Sequence, residues 1–305
     1  MKDEGIYRED VGKIKLNDDV ETTIRIFESL SKFTFPRLPS QPVVLLTVPK
    51  CGTMLLRNIL VHFIGPEHFY IPFVTDANYR QVLENSVPQK MFFTAQVLHD
   101  LEKSTYLRDI LENSVLQKKF FTGHVLHNLE TADCLRKSKV VVLVRDPRSY
   151  IMAWARFFYS VQNPKDKIMK FIQANKVPLD EAITHAILGT SCEGTILSSV
   201  RDAFLLYGLA WFNSAAVVVR YEDLLTHVKQ IDSPEARKYF FSILEGLDIE
   251  PPSDWKQRVL SGADKRLSAT FIKGVVYDHQ KGLSKYHLDL IEVVAPNLIS
   301  RLGYM

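Results

Sequence analysis

The sequence is poor in cysteine: three in 305 residues, Cys51, Cys134 and Cys192, standing far apart. That spacing excludes a disulfide framework and any zinc-type cysteine pair, and it suits a reducing compartment. Long apolar runs are missing as well. None reaches membrane-spanning length, and the opening stretch MKDEGIYREDVGKIK lacks the apolar core of a secretory signal. A cytoplasmic location without a membrane span is therefore expected. There is no block of Lys or Arg, and a formal net charge of +3 gives no footprint for nucleic acid. The triphosphate loop Gly-x4-Gly-Lys-Ser/Thr is also absent, because Lys50 comes before Gly52 instead of after a glycine.

What the chain has is apolar material, 46% of its residues, enough for a substantial core. The stretch VVLLTVPKCGTMLLRNIL, residues 43–60, organises the rest. Val43–Val48 predicts a strand buried on both faces, Pro49–Gly52 a tight turn, and Leu55, Leu56, Ile59 and Leu60 a helix that Thr53 can cap. Such a turn aims free N–H groups and the positive end of a helix at one spot, which suits a phosphate, and Lys50 adds a full charge. Further buried strands are predicted at Lys139–Val144 and Ala215–Val219. Helices are expected over residues 20–30, 148–159, 201–212, 234–247 and 286–302, with more between Pro164 and Val200. Residues 64–80 and 270–282 read as loops.

Strands alternating with helices predict an α/β fold: a mainly parallel sheet flanked by helices, with a P-loop-like strand-turn-helix, in one domain spanning 1–305. Residues 1–40 form a lead-in with Pro36 and Pro39 near its end. Within the domain, residues 83–130 hold a tandem repeat: LENSVPQKMFFTAQVLHDLE (Leu83–Glu102) returns 28 residues on as LENSVLQKKFFTGHVLHNLE (Leu111–Glu130). Two copies are too few for a solenoid, so a duplication within a surface connection is expected. Each copy offers a short strand, Met91–Thr94 and Lys119–Thr122. Ala95-Gln96 in the first becomes Gly123-His124 in the second.

In parallel sheets, ligands bind beyond the carboxyl ends of the strands. Here those ends carry Lys50 and Thr53, then His124, Arg145, and Arg220 with Tyr221. The cations suit a ligand with more than one phosphate-like group: Lys50 and its loop for one, Arg145 for another by a bidentate contact. A histidine near neutral pKa can act as general base toward a hydroxyl. Simpler readings stand beside these: a surface ion pair with Asp146 or a neighbouring carboxylate for Arg145, and a structural role for His124.

These residues resemble the sulfotransferases that use 3′-phosphoadenosine 5′-phosphosulfate (PAPS), in separate motifs from about residue 42 to 282. Pro49-Lys50-Cys51-Gly52-Thr53 resembles the family's 5′-phosphosulfate loop. Phe121-Thr122-Gly123-His124 is similar to the strand end with the catalytic histidine, 21 residues before Arg145. Val144-Arg145-Asp146-Pro147-Arg148 is similar to the start of the 3′-phosphate motif, and Arg220-Tyr221-Glu222-Asp223-Leu224 to a segment whose tyrosine lies near the adenine. Phe271-Ile272-Lys273-Gly274 resembles a late loop that closes on the 3′-phosphate. The resemblance implies PAPS as donor, adenosine 3′,5′-bisphosphate as product and no metal. It implies His124 and Lys50 as catalytic residues. It places Lys50, Cys51, Gly52, Thr53, Met54, Arg145, Tyr221, Lys273 and Gly274 at the cofactor. A small-molecule hydroxyl acceptor follows, with no nucleic-acid partner, and a homodimer is admitted. The helix from Tyr150 to Tyr159 and the Phe69–Phe73 loop can line an apolar acceptor pocket, although aromatics at helical spacing more often form core.

The chain departs from the family pattern at Ala153, where a serine is usual, at Ile272 for arginine, at Leu55 for an aromatic, and at Tyr277-Asp278-His279. Two alternatives stay open. One is a P-loop kinase or related NTPase, for which only Asp146 offers a metal-binding carboxylate. The other is a relative that binds the nucleotide without catalysis.

Overall fold

The computed structural model describes residues 25–26, 28–35, 41–65, 73–74, 94–95, 120–161, 164, 166–268 and 282–305. The five-residue strand β1 (Val43–Thr47) is wholly buried, as its unbroken apolar run requires. Helix α1 (Thr53–Ile64) follows the turn and buries Leu56, Ile59 and Leu60. Short strands β2 (Phe73–Val74), β3 (Thr94–Ala95) and β4 (Phe121–Gly123) come next. Helix α2 (Leu129–Leu135) starts at a capping box of Asn128 and Thr131. Strand β5 (Lys139–Val144) occupies the predicted residues.

Asp146 caps helix α3 (Pro147–Ser160), and Pro147 sits in its first turn, where a missing N–H costs nothing. Helices α4 (Lys167–Ala174) and α5 (Leu179–Leu188) lead to a two-stranded antiparallel hairpin, β6 (Thr190–Cys192) with β7 (Thr195–Leu197). Helix α6 (Val200–Tyr207), a 3-10 turn at Leu209–Trp211 and strand β8 (Val217–Arg220) follow. The chain continues through α7 (Tyr221–Lys229), α8 (Pro234–Gly246), α9 (Trp255–Gly262), α10 (Lys285–Val294) and α11 (Leu298–Arg301).

The main sheet has six strands in the order β2-β3-β4-β1-β5-β8, and every neighbouring pair is parallel. All carboxyl ends therefore lie along one edge. The described residues divide into two compact units, one within Arg25–Arg145 and Ala203–Leu267, the other within Asp146–Asp202, Ser268 and 282–305. The first holds the whole sheet. Among the described residues, no helix is long and apolar enough to cross a membrane.

Several expectations need correction. The first repeat copy is more than a connection, because its Thr94 and Ala95 form a strand inside the sheet. They pair with Thr122 and Gly123 of the second copy, so the partners are the equivalent residues of the two copies. Two identical segments laid side by side in parallel meet their own equivalents, which lets the duplicate extend the sheet in register. Residues 73–74, expected as loop, are a strand beside it. Thr53 does not cap α1: Gly52 is the N-cap, and no side chain bonds there. The helix expected over 201–212 breaks after Tyr207, and that over 286–302 is interrupted before Asn297, whose φ is 59°. The hairpin turn at Glu193-Gly194, with both φ positive, has arms too short to show a period.

Candidate functional site

Four adjacent strands of the first unit, β4, β1, β5 and β8, bring their carboxyl ends together. The loop after β1 carries Lys50 at φ 62° and Gly52 at φ 94°, both left-handed. A Cβ at residue 52 would overlap the Tyr221 ring, so glycine is required there twice, by its φ and by its neighbour. With no side-chain cap and no acid in its first turn, α1 keeps the positive end of its dipole for whatever enters the loop.

Lys50 is half-buried, and burial pushes its ammonium down to about 7. Cys51 belongs to the same loop and packs in the core. It is fully buried, its N–H donates to the Val48 carbonyl, and burial pushes its thiol well above the usual range. It holds the turn together. Thr53 and Met54 open α1, and the Thr53 hydroxyl lies 2.8 Å from that of Thr47.

His124 follows β4 immediately and turns back onto β1. Its Nδ1 lies 2.7 Å from the Thr47 carbonyl and 2.9 Å from the Thr47 hydroxyl. A carbonyl only accepts, so Nδ1 carries the proton and Nε2 the lone pair. Burial, with a smaller contribution from Lys50, pushes the imidazole down to about 4 against the opposing effect of the Thr47 carbonyl. It is neutral at physiological pH and able to accept a proton. His127 has a different place. Its ring packs edge-on against Trp211 at 4.6 Å, and its backbone N–H donates to the Leu206 carbonyl. Trp211 in turn donates its indole N–H to the Val125 carbonyl, so both support the chain that follows the His124 strand.

Arg145 is buried at the end of β5. Its Nη1 donates to the Lys50 carbonyl at 3.3 Å, its guanidinium stacks 4.6 Å from the centre of the Tyr221 ring, and its Nε lies 3.9 Å from the Glu222 carboxylate. It braces the loop from below. The simpler reading, an ion pair with Asp146 or a neighbouring carboxylate, is met by Glu222. Asp146 receives the Arg148 N–H as a helix cap and the Arg148 guanidinium through both carboxylate oxygens. That engagement leaves Asp146 poorly placed to serve as a metal-binding carboxylate.

The family model for the sulfotransferase domain matches residues 40–231, more than half of the chain. The chain belongs to the sulfotransferase family. Every strand of the main sheet and the loop of Lys50 fall inside the matched range. Among solved structures the sulfotransferase is similar to a mouse sulfotransferase complexed with PAP, at 14% identity over 92% of each chain and a TM-score of 0.49. It is also similar to a retinol dehydratase in complex with retinol and PAP, at 15% identity over 92% of this chain and 86% of that one, TM-score 0.48. No curated protein matches the sequence.

Lys50, Gly52, Thr53, Met54, His124, Arg145 and Tyr221 thus share one sheet edge. Lys273, Gly274 and Ile272 lie outside the described residues, as do Gln96, His99 and most of the Phe69–Phe73 loop. In α3, Tyr150 and Phe158 are core residues, 1% exposed each. Sequence reasoning missed Thr47 and Glu222. The signal for Thr47 was a polar residue closing an apolar run; for Glu222 it was an acid beside Tyr221, which could only be assigned once β5 and β8 were known to be neighbours.

Proposed function

We propose that this sulfotransferase moves a sulfuryl group from PAPS to the hydroxyl of a small molecule, with His124 as general base and Lys50 at the leaving phosphate. The observation that carries this is the convergence of a neutral His124, Lys50, Thr53 and the uncapped start of α1 at neighbouring strand ends. The donor set fits a phosphate: a left-handed loop, the open helix end and a cation. When bound, the donor supplies an activated sulfuryl group with a phosphate leaving group. Nε2 of His124 takes the acceptor's proton, and the Thr47 carbonyl holds the ring in the required tautomer. Lys50 and the N–H groups of residues 52–54 hold the charge that develops on the leaving oxygen. Tyr221, backed by Arg145, borders the nucleotide. Arg145, Lys273 and Gly274 are assigned to the 3′-phosphate.

Calorimetry should show adenosine 3′,5′-bisphosphate binding and ATP with magnesium failing to bind; the reverse would favour the kinase-like alternative. A panel of phenols, alcohols and glycans with PAPS should yield turnover. Nucleotide binding without turnover on any acceptor would leave a binding-only relative, the reading that Ala153 and Ile272 motivate. With an active acceptor, His124→Ala should lower the rate by about 10² to 10⁴ while nucleotide affinity stays within about twofold. His127→Ala should cost stability, about 1 kcal/mol, and not rate. A His124 variant that keeps a tenth of the activity removes it as the base.

A further inference from the structure

Thr47 is fully buried at the last position of β1, between β4 and β5. Pairing of β1 with β4 stops at Leu46 and Gly123, one residue short of Thr47 and His124. Beyond that point the two strands are joined through side chains. The Thr47 carbonyl receives Nδ1–H of His124, and the Thr47 hydroxyl lies 2.9 Å from the same nitrogen and 2.8 Å from the Thr53 hydroxyl. One residue therefore touches both the imidazole and the first residue of the helix that opens at the loop.

We propose that Thr47 is a positioning residue, whose carbonyl selects the His124 tautomer and whose hydroxyl links the imidazole to Thr53 at the phosphate loop. The proposal rests on the reading of His124 as base. As a neutral ring, His124 donates one proton from Nδ1 and presents the Nε2 lone pair. When Nε2 gains a proton, Nδ1–H remains, and the positive ring bonds its acceptors more strongly. The Thr47 hydroxyl can accept from that N–H while donating its own proton to Thr53. The Thr53 hydroxyl is then directed toward the loop, where it can donate to a phosphate oxygen. A valine at 47 keeps the shape and the carbonyl and removes only this link.

Nitrogen-15 NMR of histidine-labelled protein tests this without any acceptor. The wild type should show His124 protonated at Nδ1 and bare at Nε2. In Thr47→Val its titration midpoint should fall by about 0.5 pH units, because the imidazolium has lost an acceptor. Thr47→Ser should restore the wild-type value. Adenosine 3′,5′-bisphosphate should bind Thr47→Val within about twofold of wild type, while turnover with the acceptor found above drops about tenfold, in kcat and not in KM. An Nε2-protonated His124 in the wild type overturns the proposal even if Thr47→Val does not fold. So does a Thr47→Val midpoint equal to wild type. Full turnover in His124→Ala would sink the base assignment instead, and the tautomer measurement keeps the two failures apart.

Discussion

Lys50 and His124 carry opposite requirements. On the proposed mechanism, the free protein works while His124 is neutral and Lys50 is charged. His124 loses its proton as pH rises through about 4, and Lys50 loses its proton as pH rises through about 7. The kcat/KM for the donor, which reports the free enzyme, should therefore rise above pH 4 and fall above pH 7. Lys50→Arg, charged throughout this range, should abolish the upper limb. An unchanged alkaline limb in Lys50→Arg would mean that another group sets it. At Gly52, alanine meets both a left-handed φ and the Tyr221 ring. The backbone alone costs about 1–2 kcal/mol. Gly52→Ala should weaken adenosine 3′,5′-bisphosphate at least tenfold by calorimetry, and adding Tyr221→Ala should recover only part of the loss. Full recovery would show that the ring, and not the backbone, is the constraint. The glycine was legible as a turn former from sequence. Its neighbour was not, because Tyr221 reaches it only through the pairing of β1 with β5 and β5 with β8.

At the scale of elements, the tandem repeat is informative. Phe73 faces Thr94 and Thr94 faces Thr122; Val74 faces Ala95 and Ala95 faces Gly123. Deleting one whole period, residues 84–111, removes β3 and leaves β2 able to pair with β4 in the same register. The variant should fold and keep His124 at the end of the strand beside β1. Deleting only part of a period shifts the register, and a one-residue slip turns every side chain to the other face. Circular dichroism and a thermal melt would check both. An unfolded whole-period variant would show that β3 is indispensable to the sheet. The 28-residue period was plain in the sequence; the adjacency of the two copies was not, since a repeat of two is equally compatible with a connection outside the sheet. Strands β1 and β5 were legible because runs buried on both faces leave few alternatives. The break after Tyr207 was not, because the apolar pattern continues through it to Trp211.

On the largest scale, Arg258 shows how the first unit is tied together. It is 1% exposed, donates to the His62 carbonyl at 2.7 Å and the Thr34 carbonyl at 2.5 Å, and pairs with Asp254 at 2.7 Å. Its guanidinium also lies over the rings of Phe33 and Phe35. One side chain thereby joins α9, the end of α1 and the segment before β1. Arg258→Met should keep the packing volume and lose the donors, at a cost of about 3 kcal/mol in urea unfolding. A loss under about 1 kcal/mol would mean that the carbonyls find other donors. Nothing in the sequence marked Arg258, since an arginine on an amphipathic helix ordinarily faces water. The same division holds for the whole protein. The sequence by itself determined the buried strands, the glycine turn before α1 and the polar residues at the strand ends, because those depend on local burial period and backbone sterics. Only the tertiary structure decided that the two repeat copies lie side by side, that Arg145 braces the Lys50 loop, and that Thr47 links His124 to Thr53. Those contacts join residues up to 95 positions apart in the chain, and no local pattern encodes which strand ends meet until the sheet order sets them next to one another.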